Sequence, residues 1–147
     1  MKNILQTLVI PIFLLVNSFT VFGQEEISLY NSKGKAIAYI ATESGLIIYM
    51  WNGKPVAYLT KSGDDFNIYG FNGNHLGWYK DGIIYDHKGD AVGFIKGAIN
   101  VYTEYEPYKS FKEFKPYAAY KEYAPYKPYF SKSFSSTPLS IFLLGGI

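Results

Sequence analysis

From Tyr102 to Tyr129 every third residue is aromatic: Tyr102, Tyr105, Tyr108, Phe111, Phe114, Tyr117, Tyr120, Tyr123, Tyr126 and Tyr129, with lysine, glutamate and proline between them. Rings and ammonium groups support stacking and cation–π contact, so this run is a candidate surface for a glycan or a protein. An α-helix cannot hold a three-residue period on one side, and Pro107, Pro116, Pro125 and Pro128 interrupt it. A β-strand scatters the rings over both faces. Polyproline II has three residues per turn; it gathers all the rings into one stripe and reaches about 80 Å at about 3.1 Å per residue. Two readings follow. The stripe wraps a folded domain and covers one of its faces, or it is an arm that binds outside partners.

Other chemistry is sparse. The two imidazoles, His75 and His87, stand near different turns, and the chain has no cysteine. No histidine pair has the helical spacing of metal ligands. Asp64, Asp65, Asp81, Asp86 and Asp90 fall in or beside turns, where aspartate accepts local backbone hydrogen bonds. Calcium at Asp64-Asp65 or Asp86–Asp90 is the one metal reading they allow. No two carboxylates can be placed across a cleft, and the glycines open no helix and so form no phosphate loop. The residues therefore assign no catalytic group, cofactor or metal, and the expectation is a non-enzyme. Every basic residue is lysine. Without the bidentate guanidinium contacts that dominate base readout, no nucleic-acid partner is expected.

The element that must carry these groups is a repeat. Tyr30-Gly34-Ile37-Ala38-Tyr39 recurs as Tyr49-Gly53-Val56-Ala57-Tyr58, Tyr69-Gly73-Leu76-Gly77-Trp78 and Tyr85-Gly89-Val92-Gly93-Phe94. Equal offsets in four copies define one supersecondary unit. The tips Ser32-Lys33-Gly34-Lys35, Trp51-Asn52-Gly53-Lys54, Phe71-Asn72-Gly73-Asn74 and His87-Lys88-Gly89-Asp90 read as type I′ turns, for which Asn-Gly is well suited and Lys-Gly less so. Such a turn sets Trp51 opposite Lys54, Met50 opposite Pro55 and Tyr49 opposite Val56. Further turns at Ser44-Gly45, Ser62-Gly63-Asp64-Asp65 and Asp81-Gly82 join the copies into an eight-strand antiparallel meander.

Alternation gives one face Tyr30, Ile37, Tyr39, Tyr49, Val56, Tyr58, Tyr69, Leu76, Trp78, Tyr85, Val92 and Phe94, whose rings are expected to make the interior. The other carries Leu29, Ile48, Ile68 and Ile84 opposite Ala38, Ala57, Gly77 or Gly93. Both faces are apolar, so each requires a cover. The small residues suggest a tight axis where the hairpins converge.

These hairpins, with the run Leu76-Gly77-Trp78-Tyr79-Lys80-Asp81-Gly82, resemble the four-fold beta flower domain family. The resemblance spans roughly Leu29 to Gly97 and implies an all-β fold of four antiparallel hairpins, set as petals about a pseudo-fourfold axis. It implies no activity. The hairpins are also similar, more weakly, to the aromatic repeats of choline-binding and glucan-binding modules. In those, cages between hairpins dock cations or sugars, and here Trp51, Phe71, Trp78 and Tyr79 would line one. The plainer reading of these four is core and tip packing.

Lys2, the apolar stretch Ile4 to Val16 and the exit Val21-Phe22-Gly23 have the layout of a secretory signal peptide, 1–23. Its loss takes the formal charge from +2 to +1. With no later stretch long enough to span a bilayer, no stable membrane span is expected after cleavage. A four-hairpin β domain (24–100), the non-globular aromatic tail (101–130) and an apolar C-terminal segment (131–147) follow. That last segment is a closing strand or plug on the petals, or a docking peptide for another exported protein. The expected protein is an exported cell-envelope binding or structural module with a protein or glycan partner; the alternative is a carbohydrate- or cation-binding module using hairpin cages.

Overall fold

The structure is a computed structural model that describes residues 25–43 and 45–147. The signal-peptide reading of 1–23, and Ser44 of the Ser44-Gly45 turn, lie outside the described residues. Eight strands follow one another around a closed barrel: β1 (Glu26–Tyr30), β2 (Ala36–Ala41), β3 (Ile47–Met50), β4 (Pro55–Ser62), β5 (Asp65–Gly70), β6 (His75–Lys80), β7 (Ile83–Tyr85) and β8 (Ala91–Phe94). Each pairs antiparallel with the next, and β1 meets β8 at Tyr30 and Phe94. The all-β meander of four hairpins holds, and the barrel closes through that one pair of the first and last strands.

The tips differ from the expected type I′ turns by one residue. In each, the glycine N–H donates to the carbonyl three residues back: Gly34 to Asn31, Gly53 to Met50, Gly73 to Gly70 and Gly89 to Asp86. The glycines have φ between +78° and +91°, and the residues before them do not have positive φ. This is a type I turn closed by a glycine bulge, in which only the glycine needs a left-handed backbone. Lysine before glycine is therefore no weakness. Asn31 and Asp86 support the lysine-containing tips by accepting two backbone N–H groups each, while Asn52 and Asn72 accept one each within their own tips. The type I′ pattern occurs instead at Asp81-Gly82, where both residues have positive φ.

The register is corrected accordingly. Met50 lies opposite Lys54 through its N–H, and Tyr49 faces Pro55 rather than Val56. Val56 is skipped between the pairs Ile48↔Ala57 and Tyr49↔Pro55, and Ile37, Leu76 and Val92 are skipped in the same way. The aliphatic position of every repeat is thus a β-bulge, which lets two consecutive residues face one side. Val56 and Ala57 both join the aliphatic core, as do Val92 and, partly buried, Ile37 and Leu76.

That core corrects the expectation that the rings make the interior. Leu29, Ile48, Ile68, Ile84 and the bulge residues enclose it, and the rings form separate clusters around Tyr30, Tyr85 and Phe94 and around Tyr39, Tyr49 and Phe71. A short helix, α1 (Leu139–Leu144), inserts Leu139, Phe142 and Leu143 into the aliphatic core. The C-terminal segment is therefore a plug, and a helical one. The small residues make room for it: a Cβ on Gly93 would meet Leu139 at 2.9 Å, and one on Gly77 would meet Phe142 at 3.0 Å and the Tyr85 carbonyl at 2.0 Å. Among the described residues no helix is long and apolar enough to cross a membrane.

Candidate functional site: an aromatic girdle pinned to the hairpin tips

The tail runs over all four tips without helix or strand. Glu104, Glu113, Glu122 and Ser131 donate their N–H groups to the carbonyls of Gly34, Gly53, Gly73 and Gly89 at 2.8–3.0 Å. The donors are nine residues apart. Nine is three turns of a threefold extended helix, so the same column of the tail returns to every tip.

Three columns result. The aromatic column points outward: all ten rings stand at 86% or more of full exposure. The column after the rings supplies the side chains that reach the barrel wall. Glu106 accepts from the Tyr30 hydroxyl at 2.7 Å, Lys109 and Lys112 pair with Glu26, Lys127 pairs with Asp65 at 2.8 Å, and Phe130 stacks on Tyr85 at 4.2 Å. The third column supplies the backbone donors, adding Ser110 to Trp51 and Ala119 to Phe71. Pro107, Pro116, Pro125 and Pro128 all belong to this third column, at the steps where no tip carbonyl needs a donor.

Burial opposes the charge of Glu26, but hydrogen bonds and charge from Lys109 and Lys112 outweigh it and hold the carboxyl below its ordinary range. Burial and the Glu106 carboxylate push the Tyr30 hydroxyl up to about 12, so it remains a donor.

The four residues expected to line a cage do not converge. Trp51 and Phe71 belong to one ring cluster, Trp78 is buried against His75, His87 and Phe130, and Tyr79 packs on Phe66. The cage formed by Trp51 with Tyr39 is filled from within, because Lys109 Nζ sits 4.6 Å from the Tyr39 ring centre and 5.2 Å from that of Trp51.

Sequence reasoning keeps the two histidines apart, and the structure joins them. His87 lies in the tip beside the start of β6, and its Nε2 is 2.9 Å from His75 Nδ1. His75 Nε2 meets Asn67 Oδ1 at 3.0 Å, and the backbone N–H of His75 donates to the Glu122 carboxylate at 2.6 Å. With the Asn67 carbonyl as acceptor, Nε2 carries the proton and Nδ1 accepts from His87. Burial and the neighbouring His87 push the His75 imidazole down to about 4, with Glu122 opposing. Below its ordinary value of 6.5, the unfolded chain binds a proton that the folded chain refuses. Stability contributed by neutral His75 is therefore complete above pH 6.5 and is lost as the pH falls to about 4, by up to about 3 kcal/mol. Thermal melts across this range should show the acid limb in the native chain, and a shallower one in His75→Gln.

A closed meander of four bulged hairpins with a pinned tail and a helical plug defines a single-chain hairpin barrel of pseudo-fourfold symmetry. The chain belongs to the 4-fold beta flower protein family, whose family model matches residues 27–143. The match runs past the hairpins through the tail and into α1, so girdle and plug lie within the family's own extent. No curated protein and no solved structure matches the chain.

Proposed function

We propose that the protein is an exported, non-enzymatic binding module of the cell envelope whose contact surface is the aromatic girdle. The single observation that carries this reading is ten rings held outward by a backbone pinned at every hairpin tip, while Glu106, Lys109, Lys112 and Lys127 between them are engaged by the barrel. An unstructured arm would mix its rings with its charges. Ten large rings present on the order of 1,500 Å² of contact area, against about 300–600 Å² for the largest patch on an ordinary monomer. A row of outward rings suits a protein or a glycan of the envelope. Export rests on the layout of 1–23.

The test is capture from a native envelope fraction, in parallel with glycan arrays, using the native chain and the triple variant Tyr105→Ser, Phe114→Ser and Tyr123→Ser. These rings are almost wholly exposed, so the triple variant should melt as the native chain does. Binding should fall at least tenfold. Retained binding in the variant refutes the girdle as the contact surface.

A further inference from the structure

The three intervals between successive tips are built alike but are not filled alike. Four residues before its first tyrosine, each of the first three hairpins carries Glu26, Gly45 or Asp65, and the tail brings Lys109, Ala118 or Lys127 to the same level. Lys109 closes the first interval over Tyr39 and Trp51 and pairs with Glu26; Lys127 pairs with Asp65 in the third. In the second interval both charges are missing together: glycine stands for the acid and alanine for the lysine. The aromatic pair survives, with Tyr58 and Phe71 at 5.4 Å between ring centres. What remains is an open cleft of about 420 Å³, walled by Leu46, Ile47, Tyr58 and Phe71 and bounded by Lys115 and Ala118 of the tail. That volume is within the range of small-molecule sites.

We infer that this cleft is a binding site for an apolar carboxylate, an acyl chain or aryl group with one anionic head. The walls are aliphatic and aromatic and offer few partners to the hydroxyls of a sugar. A cation is disfavoured, because glycine stands where the acid would be and Lys115 is among the residues that line the cleft. Lys115 makes no ion pair among the described residues, while Glu106, its counterpart one interval earlier, is matched by Tyr30. An anion beside Lys115 supplies the missing charge and places the apolar group against Tyr58 and Phe71. This inference does not rest on the girdle as a contact surface.

The experiment is calorimetric titration of the full mature chain with decanoate below its micellar concentration, with circular dichroism as the check on folding. One decanoate per chain is expected. Ala118→Lys, which restores the lysine of the first interval, and Ala118→Leu, which fills the cleft without charge, should each weaken binding at least tenfold. Lys115→Gln should weaken it about fivefold, the scale of one partly exposed charge contact. The girdle triple variant should bind as the native chain does. Absence of saturable heat, several decanoates per chain, or native affinity in both Ala118 variants overturns the site. Decanol binding as tightly as decanoate, or displacement of decanoate by maltotriose or tetramethylammonium, overturns the ligand class.

Discussion

Gly53→Ala is expected to detach the tail at the second hairpin tip while the barrel stays folded. Two effects add there. The residue has φ +91°, which costs an L-residue about 1–2 kcal/mol. A Cβ would also stand 1.9 Å from the Phe111 carbonyl oxygen, which is backbone and cannot swing aside. Moving the tail away breaks the hydrogen bonds from Glu113 to Gly53 and from Ser110 to Trp51, worth about 1 kcal/mol each. The sum is about 3–4 kcal/mol. Hydrogen exchange checks this directly: the Ser110 and Glu113 amides should lose protection while β-strand amides keep theirs, and trypsin should cut first at Lys109 or Lys112. Gly63→Ala is the control for strain alone, because Gly63 has φ +62° but a Cβ there would have no neighbour within 4 Å. It should cost about 1–2 kcal/mol and leave the tail in place. Equal proteolysis of the two variants would show that the tips do not hold the tail.

The same contacts explain what is legible in the sequence. The Tyr-to-Gly interval specifies the hairpins, their number and their order, because a tight turn demands glycine at one backbone position. Turn type is harder to read, because Asn-Gly fits both a type I′ turn and the glycine bulge. The Lys33-Gly34 and Lys88-Gly89 tips point to the bulge, since lysine tolerates αR better than αL. The bulges at Ile37, Val56, Leu76 and Val92 are hidden for another reason: pure alternation assigns each residue one side, and a bulge suspends that rule. In the tail, the three-residue period is plain and masks a nine-residue one. Tyr102-Thr103-Glu104-Tyr105-Glu106-Pro107-Tyr108 recurs as Phe111-Lys112-Glu113-Phe114-Lys115-Pro116-Tyr117 and as Tyr120-Lys121-Glu122-Tyr123-Ala124-Pro125-Tyr126, with glutamate and proline at fixed places. Glutamate marks the step that docks on a tip glycine and proline the step that needs no donor. The His75–His87 contact is not legible, because it depends on which hairpins are neighbours around the barrel.

Leu143→Ala is expected to destabilise the protein by about 2–5 kcal/mol, the range for deleting a fully buried leucine side chain. Leu143 is wholly buried at the meeting of α1 with the aliphatic core, and the surrounding barrel is closed, so its wall cannot collapse freely into the gap. With a total stability of about 5–15 kcal/mol, such a loss approaches the limit of cooperative folding. Ile141, two residues earlier on α1, stands at 59% exposure, and Ile141→Ala should change stability by no more than about 0.5 kcal/mol. Truncation after Pro138 removes Leu139 and Phe142 as well. It leaves Gly77, Gly93 and the bulge residues facing water, so the truncated barrel should bind a hydrophobic dye and lose its cooperative melt. Denaturant titration of the two point variants, with a dye-binding melt of the truncated chain, decides the matter. If Leu143→Ala and Ile141→Ala melt together, the helix rests on the barrel without belonging to its core, and the four hairpins hold their own interior.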